Sequence, residues 1–196
     1  MDKTILNCVT PKPFTIMKYN VPLLNQSVNP ICYVVAAAMI QKYWQQTAGN
    51  DFDTPLLTGG FNPLTACIPG ASSNRTVFNG LRNAGFISID RPSSITKARI
   101  KTLLTNYGPL ILNHRVANFN YGPTRGGKQA SNAAGLHAVA LTGIEGNNAF
   151  FNNPWGDKDV MVPASDLLTS IGQAYDYPLE ALFYAAASPM PQNIIY

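Results

Sequence analysis

Residues 137–156 read HAVALTGIEGNNAFFNNPWG, and this stretch limits the possible fold more than any other. HAVALTGI combines small and branched apolar residues and reads as a buried strand. EGNN is a tight turn, AFFNN a return strand, and PWG ends it. Two such strands joined by a tight turn form an antiparallel hairpin. Ordinary hairpin geometry then sets roughly residues 152–154 opposite residues 138–140.

The other strong pattern is helical. From Ile31 the run ICYVVAAAMIQKYWQQ is apolar all round and ends in polar residues, which predicts a helix with buried first turns and an exposed end. Asn29 fits the N-cap, Pro30 the first helical position, and Gly49 and Asn50 the end. Cys32 therefore lies in the first turn. Before it, residues 1–20 read as an extended arm and 20–30 as a loop, since Pro22 and Pro30 forbid a helix interior. Residues 51–75 are loop-rich, 73–86 a short helix, and 87–89 a short strand. SSITKARIKTLLTNYGPLIL (93–112) predicts a serine-capped helix stopped by Gly108 and Pro109, then a strand. Residues 114–135 form a long polar, glycine-bearing segment, a length usually tied to function or mobility in a compact domain. After residue 156 come a short strand, a helix capped by Ser165 or its neighbours, and a strand or short helix over 179–187. Helices dominate the first half and strands the second, which is α+β and not alternating βαβ.

The chain has 196 residues, 46% hydrophobic and 12% charged, which excludes a disordered chain. That length suits one domain, with a helical lobe over about 20–110, a β lobe over about 110–188, an N-terminal arm 1–19 and a C-terminal tail 189–196. The net charge of +4 is spread without basic runs, so there is no footprint for nucleic acid. No apolar stretch reaches the ~20 residues of a membrane span. The N-terminus lacks an apolar signal core, so no secretion address is expected in this chain. Among the three cysteines at least one is free or pairs between molecules. Cys8 and Cys67 either pair or stay reduced. With two histidines and no CxxC spacing, neither a zinc site nor another cofactor is expected.

A thiol attacks as thiolate, and its free pKa of ~8.5 calls for help at neutral pH. A helix N-terminus favours negative charge, because its first N–H groups lack partners. Cys32 stands at such a place. A histidine can take the thiol proton and return it to a leaving group. Only His114 and His137 are available. His137 opens the buried strand directly after the glycine-bearing segment that ends at Gly135, so it is the candidate base. His114 reads as a surface or structural histidine. The return strand brings Asn152 or Asn153 near His137, where an amide could orient the imidazole. The backbone N–H of Cys32 is one oxyanion donor, and the side chain of Gln26, six residues upstream, is a second.

The series Gln26, Cys32, His137, Asn153 resembles the papain-like cysteine peptidases. In that family the oxyanion glutamine lies six residues before the nucleophile and an aromatic follows it, as Tyr33 does here. The histidine often heads a strand reading HAV. The orienting asparagine opens N-S-W-G, matched by Asn153-Pro154-Trp155-Gly156, and the tryptophan shields the histidine–asparagine bond from water. The segments ITKARIKTLLTNYGPLIL and HAVALTGI further resemble compact bacterial members, the bacteriocin-processing peptidases and plant-pathogen effector proteases. Many of those carry Asp in a D-P-W context, between which and N-S-W-G the present N-P-W is intermediate. Near the nucleophile the plant and animal enzymes read C-G-S-C-W and this chain N-P-I-C-Y, so their specificity is not implied.

The resemblance implies a two-lobed papain-like α+β fold, with a central catalytic helix packed on a twisted antiparallel sheet. It implies a cysteine endopeptidase acting on a polypeptide, with Cys32, His137, Asn153 and Gln26 catalytic. Trp155, Tyr33 and Gly135 would contact substrate or shield the site. No inhibitory prosegment precedes Cys32 in this chain, which suggests a bacterial effector or toxin domain. Such a domain would be delivered into a target cell by a secretion system and held by a cognate inhibitor or immunity protein. Two alternatives remain: a glutamine deamidase or transglutaminase on the same fold, and a non-catalytic peptide-binding module.

Overall fold

The computed structural model describes residues 18–26, 32–47, 81–82, 85–89, 94–115, 136–175 and 181–186. Residues 1–17 of the expected arm, the tail, the whole loop-rich region 51–75, Asn29, Pro30, Gly49 and Asn50, Cys8, Cys67 and Gly135 lie outside these residues. Nine elements are described: α1 (Cys32–Thr47), β1 (Phe86–Ile89), α2 (Lys97–Tyr107), β2 (Leu110–Arg115), β3 (Leu136–Glu145), β4 (Asn148–Asn153), β5 (Asp157–Pro163), α3 (Ala164–Ala174) and β6 (Phe183–Ala186). The six strands form one sheet in the order β1-β6-β2-β3-β4-β5, with antiparallel neighbours. Helices and an antiparallel sheet make this an α+β architecture.

Burial along the strands explains the order. Eight successive residues of β3 are buried, as are the first five of β2. Strands buried on both faces read as continuous apolar runs, and these two lie at the centre. At the edge, β5 alternates buried with more open positions, with Met161 exposed, as a strand covered on one face must. Helix α1 packs on β3 and β2, α2 on β3, and α3 on β2, β4 and β5. Val34 to Ile40 of α1 are all buried, so the apolar run of the sequence is the core-facing part of that helix.

The β3–β4 hairpin turns at Gly146-Asn147 and sets Ala140 against Asn152, the register that the hairpin reading gives. A bulge between Leu141 and Gly143 tightens the local twist. Several details differ from the sequence reading. Helix α2 is capped by Thr96, whose hydroxyl accepts from the Arg99 N–H, because a cap must sit three residues before the N–H it satisfies. Helix α3 begins after Pro163 with no side-chain cap, and Ser165 lies inside its first turn. His114 and Arg115, assigned to the polar segment, belong to β2. Strand β1 falls in the helical half of the sequence yet joins the sheet beside β6, and α3 in the strand-rich half covers that sheet. Helix and strand are therefore not divided at residue 110.

Gly108 joins α2 to the core. Its φ of +73° favours glycine, and a Cβ there would stand 2.3 Å from Cζ2 of Trp44 on α1. Residues 19–26 form a strap. Tyr19 N–H donates to Thr142 O at 2.9 Å and Tyr19 Oη–H to Leu104 O at 2.7 Å. The Asn152 amide donates to Val21 O at 2.8 Å. Finally Gln26 N–H donates to Pro154 O at 2.7 Å, which fixes the strap's end against the turn after β4.

Candidate active site

Three structural decisions converge on one place. Helix α1 must start where its buried face meets β3, so Cys32 arrives at the head of that strand. The backbone N–H groups of Ala138, the residue after His137, of Tyr33 and of Cys32 itself face the sulfur and favour its charged form. Cys32 is a free thiol, half-buried, and burial pushes its pKa up against the pull of those three donors. Such donors favour negative charge on sulfur at the moment it forms.

His137 is buried at the first turn-in of β3. Its Nε2 lies 3.0 Å from Asn153 Oδ1. The Trp155 N–H donates to that same oxygen at 3.1 Å, which identifies it as an acceptor and makes Nε2 the protonated ring nitrogen. Nδ1 then carries the lone pair and is the basic atom of the ring. The Trp155 ring stacks on the imidazole with centroids 4.2 Å apart and planes 22° apart, covering the bond to Asn153. Burial lowers the His137 pKa from 6.5 to about 4, with the Asn153 bond acting in the opposite sense. The imidazole is therefore neutral above that range and able to act as a base.

Asn153 is fully buried and meets His137; Asn152 does not. Neighbours in a strand point to opposite faces. The Asn152 side chain instead secures the strap at Val21 and accepts from the Asp159 N–H at 2.9 Å. Gln26 is buried, held by its backbone at Pro154, one residue from Asn153. Its Oε1 has no hydrogen-bond partner among the described residues. Tyr33 is half-buried against the core.

One residue near the site, Asp157, escaped the sequence reading, and a second, His114, was read without its place beside the site. Asp157 accepts from Asn153 Nδ2 at 3.1 Å. The signal available for it was its place directly after the PWG turn, which returns the chain against Asn153. His114 is the cross-strand partner of His137, with ring centroids 6.4 Å apart. It is fully buried, and its Nδ1 pairs with Ser170 Oγ of α3. Burial, and secondarily His137, hold its pKa well below the ordinary value. It is structural, the second of the two roles its sequence allowed. Among the described residues no group of three or more His, Cys, Asp or Glu comes together to hold a metal. No described helix is long and apolar enough to cross a membrane.

A family model described as papain-like cysteine protease AvrRpt2 matches residues 15–164. No curated protein matches the chain by sequence. Among solved structures, a Bacillus anthracis protein described as C39-like peptidase superposes with a TM-score of 0.53 at 15% identity, covering 88% of this chain and 97% of its own. A double glycine motif protease from an AMS/PCAT transporter, solved with the leader peptide, gives 0.46 at 19% identity, covering 80% of this chain and 89% of its own. The first of these shares the α+β architecture described above.

Proposed function

The chain belongs to the family of the papain-like cysteine protease AvrRpt2 and is a cysteine peptidase of papain-like fold, and from that premise we propose how its residues divide the reaction. Cys32 is the nucleophile. As its sulfur attacks the scissile carbonyl, the thiol proton passes to Nδ1 of His137. Asn153, on Nε2, keeps that tautomer and orients the ring. The Cys32 N–H and the Gln26 side-chain amide receive the oxyanion. His137 then gives the proton to the departing amine, leaving an acyl-enzyme thioester. Water, deprotonated by the same imidazole, releases the acid and restores the thiol.

The observation that carries this reading is the 3.0 Å contact between His137 Nε2 and Asn153 Oδ1, next to a sulfur seated on the N–H of Ala138. Burial favours a resting pair of neutral thiol and neutral imidazole, so charge develops during attack, where the helix N-terminus and the oxyanion donors lie. The substrate is a polypeptide, as for a peptidase it must be. We assign the chain to delivered bacterial effectors or toxins, acting inside a target cell and restrained in its producer by an immunity protein. The family description supports the assignment, through the AvrRpt2 protease it names.

The test is to profile new N-termini in a proteome treated with wild type and with Cys32→Ala. Discrete cleavage sites made by the wild type alone are expected. Side-chain deamidation with no backbone cleavage would overturn the endopeptidase reading. Recovery of a tight inhibitor protein from the producer is expected as well, and an enzyme always found free there would count against the effector role.

A further inference from the structure

An amide has two ends of opposite hydrogen-bonding sense, and only one serves His137. With Oδ1 toward Nε2, the imidazole carries its proton on Nε2 and offers Nδ1 to the thiol. With Nδ2 toward Nε2, the ring must protonate on Nδ1 and has no lone pair for the Cys32 proton. The two orientations differ by a half-turn of one side-chain bond and have nearly the same shape. Something must choose between them.

From the Asn153 contacts we infer that Asp157 is a positioning residue for the reaction: its carboxylate fixes which end of the Asn153 amide faces His137, and through it the productive tautomer. Asp157 is buried, 5% exposed, and its Oδ2 lies 3.1 Å from Asn153 Nδ2. A carboxylate accepts and an amide NH2 donates, so the inverted amide would set two oxygens against each other out of water. The Trp155 N–H acts in the same sense from the other end. The backbone builds this contact cheaply. Pro154, Trp155 and Gly156 form a three-residue turn, Gly156 at φ +114° donates to Asn153 O at 2.9 Å, and Asp157 thereby pairs with Asn153 across the turn. The arrangement makes the segment from Asn153 to Asp157 one unit, in which the turn supplies the stacking ring and its last residue supplies the lock.

The inference rests on the triad reading above. Its test uses the rate at which iodoacetamide alkylates Cys32 at pH 6, read on the Cys32 peptide by mass spectrometry in the full chain. Asp157→Leu removes the acceptor and leaves only the Trp155 N–H to favour the productive end, and the rate falls at least about tenfold as the inverted amide becomes populated. Adding Asn153→Asp to it restores the rate to within about threefold of wild type, because a carboxylate has no wrong end. A merely structural role of Asp157 would show no such rescue. The melting temperature reports folding; if Asp157→Leu does not fold, Asp157→Ala with and without Asn153→Asp decides by the same comparison. A rate unchanged by loss of Asp157, or a double variant no faster than the single, overturns the inference. If His137→Ala labels as fast as wild type, the triad reading fails first and the inference with it. If that dependence holds and rescue fails, only the role of Asp157 is lost.

Discussion

His114 and His137 face each other across β2 and β3, both buried and both discouraged by that burial from carrying charge. Yet their surroundings differ. His114 looks into the contact with α3, where Ser170 Oγ both pairs with its Nδ1 and donates to Arg115 O at 3.2 Å. That hydroxyl spends its one proton on the carbonyl, so Nδ1 of His114 is the donor to it. His137 has its Nε2 proton spent on Asn153 and its neighbour's N–H on the Cys32 sulfur. Which nitrogen carries the proton, and what the other one faces, separates a packing histidine from a base. Burial depth and pKa direction alone would not have told them apart; the partner of each nitrogen does.

The comparison breaks most visibly by removing one ring at a time. His137→Ala, like Cys32→Ala, should lower kcat/KM by about four orders of magnitude or more while the protein stays folded, measured on any cleaved protein substrate. His114→Ala should leave kcat within about threefold and lower stability by roughly 2 kcal/mol, read by denaturant melts, since it leaves a cavity beside Ser170. Equal losses of activity in the two variants would dissolve the distinction.

Gln26→Ala sharpens the picture from the oxyanion side. Loss of one such donor costs about a hundredfold to a thousandfold in kcat, with little change in KM. Acid tests both rings at once. Each has a pKa lowered on folding, so the unfolded chain binds protons that the folded chain refuses. Their contribution is whole above pH 6.5 and is lost as pH falls. For His137 the loss runs from 6.5 down to about 4, for roughly 3 kcal/mol, and it is flat below. Melting at stepped pH should show that fall. His137→Gln should remove the part ending near pH 4 and leave the part due to His114. The smallest effect is that of Trp155→Phe, which keeps a ring over His137 but shrinks the cover on the Asn153 bond. It should cost activity about twofold to tenfold, the range of one aromatic contact.

The hairpin, its register and the seat of Cys32 at a helix start were legible because each rests on a local rule. Apolar runs interrupted by turn residues fix strands, and small apolar runs after Asn-Pro fix a helix start. What remained hidden depends on contacts between distant segments. Nothing in the alternation of β4 tells Asn152 from Asn153; the strap at Val21, over a hundred residues upstream, claims the first and leaves the second to His137. Asp157 fell in the short strand read after residue 156 with no role of its own, since its carboxylate gains meaning only once the PWG turn folds it back. His114 lay in a polar context, and only the packing of α3 on β2 shows why it is buried.

The account's central claim is that the sulfur of Cys32 and the imidazole of His137 work as one acid–base pair. The pH profile of Cys32 alkylation by iodoacetamide, for wild type, His114→Ala and His137→Ala, tests it most directly. The expected result is fast labelling at pH 6 in the first two, and in His137→Ala slow labelling that rises only in alkali, as for a half-buried thiol without a base. Three superimposable profiles would contradict it.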